Sequence, residues 1–149
     1  MIRIGLSIAL LTIFIDQFSK KWVIAFLEEG SVVLGAHLNF ILVSNTGISF
    51  GMFRTENSWG PWVLSVISLV IVFFLFLWLR QSRSKLQNYG LGMLIGGAIS
   101  NVIDRIFYGA VFDFIDLHAF GYHWPTFNLA DTAVVCGVFV ILLGSFFFG

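Results

Sequence analysis

Apolar residues run along this chain in four long blocks, separated by shorter polar stretches. The blocks are roughly Ile4–Leu27, Pro61–Leu79, Tyr89–Tyr108 and Leu129–Phe148. A helix that crosses a bilayer needs about 20 mostly apolar residues, so each block predicts one membrane-spanning helix. The first has Arg3 before an apolar core, as a cleavable leader would. It lacks a small-x-small cleavage site, and Asp16 and Lys20 continue its pattern, so it reads as a retained helix. Between the first two blocks, Val32-Val33-Leu34 and His37-Leu38-Asn39-Phe40-Ile41-Leu42-Val43 are β-branched and aromatic, with Gly35 between them, and predict two short strands. Asn57 or Ser58, ahead of Pro61, suits the start of the second helix. The expected fold is an all-α membrane protein: four transmembrane helices, with a small extracytoplasmic β-sheet element between helices 1 and 2. Residues 1–149 form one domain, without internal repeats.

Composition agrees. Hydrophobic residues make up 58% of the chain and charged ones 11%, and the mean hydropathy is +0.95. A soluble domain could not cover so much apolar surface with so few charges, so lipid must be the solvent. The formal net charge is zero, which offers no basic field to a nucleic acid. The one cysteine, Cys136, lies in an apolar run and is expected as a buried inert thiol. His37, His118 and His123 lack metal-ligand spacing, so neither metal nor cofactor is expected.

Orientation follows the basic residues. Arg80, Arg83 and Lys85 crowd the link between helices 2 and 3. The link between helices 1 and 2 has only Arg54, beside Glu28, Glu29 and Glu56, and the stretch 106–128 has no Lys or Arg. The positive-inside rule then places both termini and the Arg80–Lys85 link in the cytoplasm. Trp22, Trp59, Trp62 and Trp124 fall near the outer interface and Trp78 near the inner one.

Ionisable residues within the helices each cost about 2.5–3.5 kcal/mol on insertion scales and need a reason. At about 1.5 Å of rise per residue, Asp16 and Asn101 each lie about 18 Å along their helices, and Asp104 about 22 Å. Helix 4 runs the other way, so Asp131 falls in its first outer turn. Four polar positions on three helices thus converge in the outer half of the membrane. Asp16 and Lys20, four apart, could form a self-neutralising pair with Lys20 snorkelling outward, or could support a site. Asn101 and Asp104 share a face, with Arg105 next, and could simply pin helix 3 to its neighbours. Asn128 and Asp131, taken alone, look like a helix N-cap and its third-turn-position acid. Gly92, Gly96, Gly97 and Ala98 thin one face of helix 3, either for close packing or as a slot for a substrate helix.

Asp113 is placed differently, in a loop Val111-Phe112-Asp113-Phe114-Ile115-Asp116 just beyond helix 3. It has no cation nearby in sequence, but Asp131 is a candidate partner at similar depth. Two carboxylates in one site cannot both ionise cheaply and tend to hold one proton between them. Such a dyad can activate water with one member and protonate a carbonyl or leaving amine with the other. The helix N-terminus favours charge on Asp131, and the flanking Phe112 and Phe114 favour the neutral acid at Asp113, so the shared proton is expected mostly on Asp113.

At these residues the chain resembles the lipoprotein signal peptidases, the signal peptidase II family. The resemblance rests on Asp16-Gln17-Phe18-Ser19-Lys20, on Asn45-Thr46-Gly47-Ile48-Ser49-Phe50-Gly51, on Gly96-Gly97-Ala98-Ile99-Ser100-Asn101-Val102-Ile103-Asp104-Arg105 running on to Val111–Asp116, and on Phe127-Asn128-Leu129-Ala130-Asp131. Ile48 departs from the pattern, since two small residues usually follow the glycine. The resemblance implies an intramembrane aspartyl endopeptidase of the bacterial cytoplasmic (inner) membrane, acting as a monomer. It would remove the signal peptide of a prolipoprotein, cutting before a cysteine that carries a diacylglyceryl group, with its site near the outer face. It implies Asp113 and Asp131 as the catalytic pair, with Asp16, Lys20, Asn45, Gly47, Asn101, Asp104, Arg105, Asn128 and Ala130 shaping or lining the site. The competing readings are a proton- or cation-coupled transporter and a non-catalytic lipid scaffold. The first predicts acids spread through the whole membrane depth, and the second has no need of Asp113 beside Asp131.

Overall fold

The computed structural model describes residues 1–27, 32–47 and 59–148. Among these residues four helices are long and apolar enough to cross a membrane: α1 (Ile2–Phe26), α2 (Gly60–Gln81), α3 (Lys85–Tyr108) and α4 (Leu129–Phe148). Local chemistry sets several of their ends. Pro61 stands in the first turn of α2, where its missing N–H costs nothing. Ser84 caps α3 by accepting from the Gln87 N–H at 3.4 Å. Gly109 closes α3 at φ 70°, a left-handed position that suits glycine. Asn57 and Ser58, the expected start of α2, lie outside the described residues, as do Ile48, Arg54 and the acids of the same link.

Helix α3 is central: half of its spanning stretch is buried, against 11–22% in the other three. It packs against α1 and α4, and α2 lies against α3 with little contact elsewhere. Glycines allow this closeness. A Cβ on Gly92 or Gly96 would stand 2.5–2.6 Å from the Gly5 or Ala9 carbonyl of α1, and one on Gly97 would stand 2.5 Å from the Ala130 carbonyl of α4. Gly92, Gly96 and Gly97 of α3 are therefore used for helix packing, on two faces. The outer surface is apolar: on α2 the residues Trp62, Val63, Val66, Ile67, Val70 and Phe74 are all exposed, as suits a lipid-facing helix. Cys136 is also exposed, on the outward side of α4, and so is not the buried thiol expected. Its apolar neighbours made it look like core, but in a membrane protein an apolar run faces lipid as readily as a core.

The sheet corrects the expected architecture. Strands β1 (Val32–Val33) and β2 (Leu38–Asn45) come from the link between α1 and α2. Strands β3 (Val111–Ala119) and β4 (Tyr122–His123) come from the link between α3 and α4. The antiparallel order is β1-β2-β3-β4, so the sheet is not an element between helices 1 and 2 alone. The segment read as a loop around Asp113 is its longest strand. Alternation is hard to see in its first part because Val111, Asp113, Phe114 and Asp116 are all buried, and exposed positions begin only at Leu117. β2 carries one extra residue between Phe40 and Val43 relative to β3, a bulge. Phe114 reaches Val23 and Leu27 of α1 and fastens the sheet to the bundle.

Candidate active site

Polar side chains from α1, α3, α4, β2 and β3 meet in two connected groups. The first surrounds Lys20, which is 3% exposed and does not snorkel. Its Nζ lies 2.6 Å from Asp16 and 2.7 Å from Asp104, and donates to Asn101 Oδ1 at 3.1 Å. One cation therefore serves two buried carboxylates on two helices, which the four-residue spacing of Asp16 and Lys20 did not reveal. The remaining oxygens are also satisfied. Asp16 accepts from Ser100 Oγ at 2.7 Å and from the Ala130 N–H at 2.8 Å. Asp104 accepts from Gln17 Nε2 at 2.7 Å. This is the full pairing that a buried ion group requires. Ser100 and Gln17 belong to this group although only their places in the motifs pointed to them. A serine and a glutamine at spacings that match their acidic neighbours were the available signal.

The second group holds the two aspartates proposed as a dyad. Asp113, 2% exposed, accepts from Asn45 Nδ2 at 2.9 Å and from Asn128 Nδ2 at 2.7 Å. The Asn45 amide is aimed by its oxygen, which accepts the Gly47 N–H at 3.1 Å. Asp131 is reached from the other side: Asn101 Nδ2 donates to its Oδ1 at 2.9 Å. Asn128 and Asp131 also make a reciprocal capping box. Asn128 Oδ1 accepts the Asp131 N–H at 2.9 Å, and Asp131 Oδ2 accepts the Asn128 N–H at 3.2 Å. The capping reading of these two residues is thus correct, and the same Asn128 side chain extends to Asp113. Asn101 joins the groups, since its Oδ1 accepts from both Lys20 and Asn128, the latter at 3.2 Å. Arg105 donates to the Asn101 carbonyl at 3.3 Å and lies within electrostatic reach of Asp131, Asp104 and Asp113.

Burial pushes the Asp113 carboxyl up to about 6. The nearby Asp131 charge adds to this, while the Asn45 and Asn128 donors oppose it. Asp131 is the more accessible partner. It lines a groove of about 510 Å³ together with Trp124, Pro125, Phe127, Val135 and Cys136. Among the described residues, no group of three or more His, Cys, Asp or Glu is arranged to hold a metal ion.

A bundle of four helices long and apolar enough to span a membrane, with Asp113 and Asp131 both bonded to Asn128 and Asp131 lining an apolar groove, has the form of a multi-pass membrane protein with a polar site. The comparisons give its family. The family model described as signal peptidase (SPase) II matches residues 8–147. The chain is 41% identical over 148 residues to the lipoprotein signal peptidase of Methylorubrum extorquens, covering 96% of this chain and 85% of that one. It is 43% identical over 141 residues to that of Coxiella burnetii, covering 93% and 86%. A solved bacterial membrane enzyme superposes with a TM-score of 0.81 at 28% identity, covering 95% of this chain and 87% of that one. The chain belongs to the signal peptidase II family and is a peptidase of that type, a multi-pass bacterial membrane protein.

Proposed function

We propose that this protein removes the signal peptide from prolipoproteins by aspartyl chemistry inside the membrane, cutting before the diacylglyceryl-modified cysteine. The observation that carries this reading is the shared contact of Asp113 and Asp131 with Asn128, at the edge of an apolar groove. With one proton between them, the ionised carboxylate takes a proton from water as the water attacks the scissile carbonyl. The protonated partner gives its proton to the carbonyl oxygen, and collapse of the tetrahedral intermediate with proton return to the amine releases the two peptides. Asn45 and Asn128 hold Asp113 in place, and Asn101 holds Asp131. The Lys20 group locks α1, α3 and α4 together beneath them. The apolar groove walls suit a substrate whose signal helix and acyl chains both lie in lipid. In this reading the Arg80–Lys85 link faces the cytoplasm with both termini, the sheet faces outward in the inner membrane, and one chain suffices, since a single chain supplies every side chain named above.

The test is cleavage of a lipidated prolipoprotein by purified protein. Asp113→Asn and Asp131→Asn should each reduce the rate by at least about 100-fold, the range lost with a proton-transfer group. A chelator should leave the wild type unaffected. Appreciable cleavage by either variant would end the dyad reading, as would chelator inhibition reversed by a divalent metal.

A further inference from the structure

Among the described residues, one buried carboxylate takes no part in either group. Asp116 is 3% exposed and sits on β3, three residues beyond Asp113. It accepts from Asn39 Nδ2 of β2 at 3.0 Å. On its other side, His123 Nδ1 of β4 approaches its two oxygens at 2.8 and 3.0 Å. Asp116 therefore ties β3 to the strands on both sides. Burial works against its charge, but the bonds from His123 and Asn39, with the nearby His118 and His123, outweigh it and hold the carboxyl below its ordinary range.

We infer that Asp116 is a positioning residue for Asp113, setting the register and placement of β3 through Asn39 and His123. The register explains why such a device is needed. Asn39 pairs with Asp116 and Phe40 with Ile115, but beyond the bulge Val43 pairs with Asp113 and Asn45 with Val111. A bulge is a place where strands can slip, and a slip of one residue turns every side chain to the opposite face. Two polar side-chain bonds bracket this bulge, Asn39 to Asp116 on one side and Asn45 to Asp113 on the other. The first fixes the frame in which the second can form.

The His123 bond acts on the other member of the site. Residues 124–127 follow β4 and lead directly into Asn128. The Trp124 N–H donates to the Leu117 carbonyl at 2.8 Å, and Phe127 exchanges backbone bonds with Ile115 at 2.9 and 3.2 Å. A carboxylate that holds His123 against β3 thus anchors the near end of the segment that delivers Asn128 to Asp113. Asp116 itself touches neither Asp113 nor Asp131 by any bond described, so its effect passes through strand placement.

This inference rests on the reading of Asp113 as a reacting group, and the experiment separates the two. Wild type, Asp113→Asn, Asp116→Asn, Asp116→Ala and His123→Gln are compared for kcat, KM, the pH profile and thermal unfolding in the same detergent. Asp116→Ala should lower kcat about 10- to 100-fold, the scale of a reacting group misplaced by about 1 Å, with KM changed less than about 3-fold. Asp116→Asn and His123→Gln, which each keep a hydrogen-bonding group at the clamp, should recover much of that loss. The alkaline limb of the Asp116→Ala profile, set by loss of the shared proton, should move down, because looser packing of β3 readmits water to Asp113. Near-normal kcat in Asp116→Ala, or a loss that tracks only the unfolded fraction with the limb unmoved, overturns the positioning role. If Asp113→Asn itself remains active, it is the dyad reading that fails.

Discussion

Asp113 and Asn128 lie on different elements and are joined by a 2.7 Å bond from the asparagine amide to the aspartate Oδ1. The oxygen of that same amide caps α4 by accepting the Asp131 N–H. One planar side chain thus links the Asp113 carboxyl to the backbone of Asp131, and its orientation is fixed by having a donor group needed on one side and an acceptor on the other.

This double duty can be divided by substitution. Asn128→Ser keeps an oxygen able to cap α4 but is too short to reach Asp113, whereas Asn128→Ala loses both contacts. We expect kcat to fall at least about 10-fold in both, the low end of what a misplaced reacting group costs. Only Asn128→Ala should also lose the cap, worth about 0.5–2 kcal/mol in unfolding free energy. Parallel kinetics and denaturant unfolding check this, and equal kcat in Asn128→Ser and wild type would dissociate Asn128 from the chemistry.

The position of Asp113 predicts a pH dependence with a definite sign. Its folded carboxyl is raised to about 6 from an ordinary 3.8, so folding favours its protonated form. Its stabilising contribution is complete below about 4 and is lost as pH rises through about 6. Asp113→Asn should flatten the stability profile across that window. We expect the proton shared by the dyad to reside mostly on Asp113, the more buried acid, and the charge to fall on Asp131 at the N-terminus of α4. Isotope-edited infrared spectra of labelled aspartate, assigned with the two Asp→Asn variants, would locate it. A protonated-carboxyl band belonging to Asp131 at pH 5.5 would reverse the assignment. Kinetic profiles report the pair and cannot make this distinction.

Lys20 supports two carboxylates at once, so its removal should be severe. Lys20→Met leaves Asp16 and Asp104 buried together without the cation that contacts both, a loss of about 3–5 kcal/mol by analogy with broken buried ion pairs. Adding Asp16→Asn and Asp104→Asn to the same chain should restore part of the stability, because no uncompensated charge then remains. Unfolding in micelles measures both. A Lys20→Met protein within about 1 kcal/mol of wild type would show that solvent reaches the group.

The orientation is open to direct labelling. With the exposed Cys136 first replaced by alanine, a cysteine at Arg83 should react with an impermeant maleimide only from the cytoplasmic side, and one at Gly121 only from outside. The reverse pattern would put the groove and its acids on the wrong face for a secreted substrate.

The four spans, their approximate limits and the meeting of Asp16, Asn101, Asp104 and Asp131 from three helices were legible in the chain itself. Twenty-residue apolar runs have few alternatives in lipid, and a polar residue inside one is conspicuous because it is costly. The capping relation of Asn128 to Asp131 was legible for a similar reason, since it depends on residues three apart. Contacts between distant segments were not. Nothing near Lys20 in sequence says that it also neutralises Asp104, more than 80 residues away. Nothing around Asp113 says that its segment is a strand, because Val111–Asp116 has no exposed position to show alternation and its partner β2 lies on the far side of two helices in the chain. The exposure of Cys136 was likewise undecided, because hydrophobicity in a membrane protein separates lipid from water but not lipid from core. Sequence determined which residues had to be shielded from hydrocarbon, through their solvation cost. Only the tertiary structure decided which partners shield them, because that depends on how three helices and two links from separate parts of the chain come together.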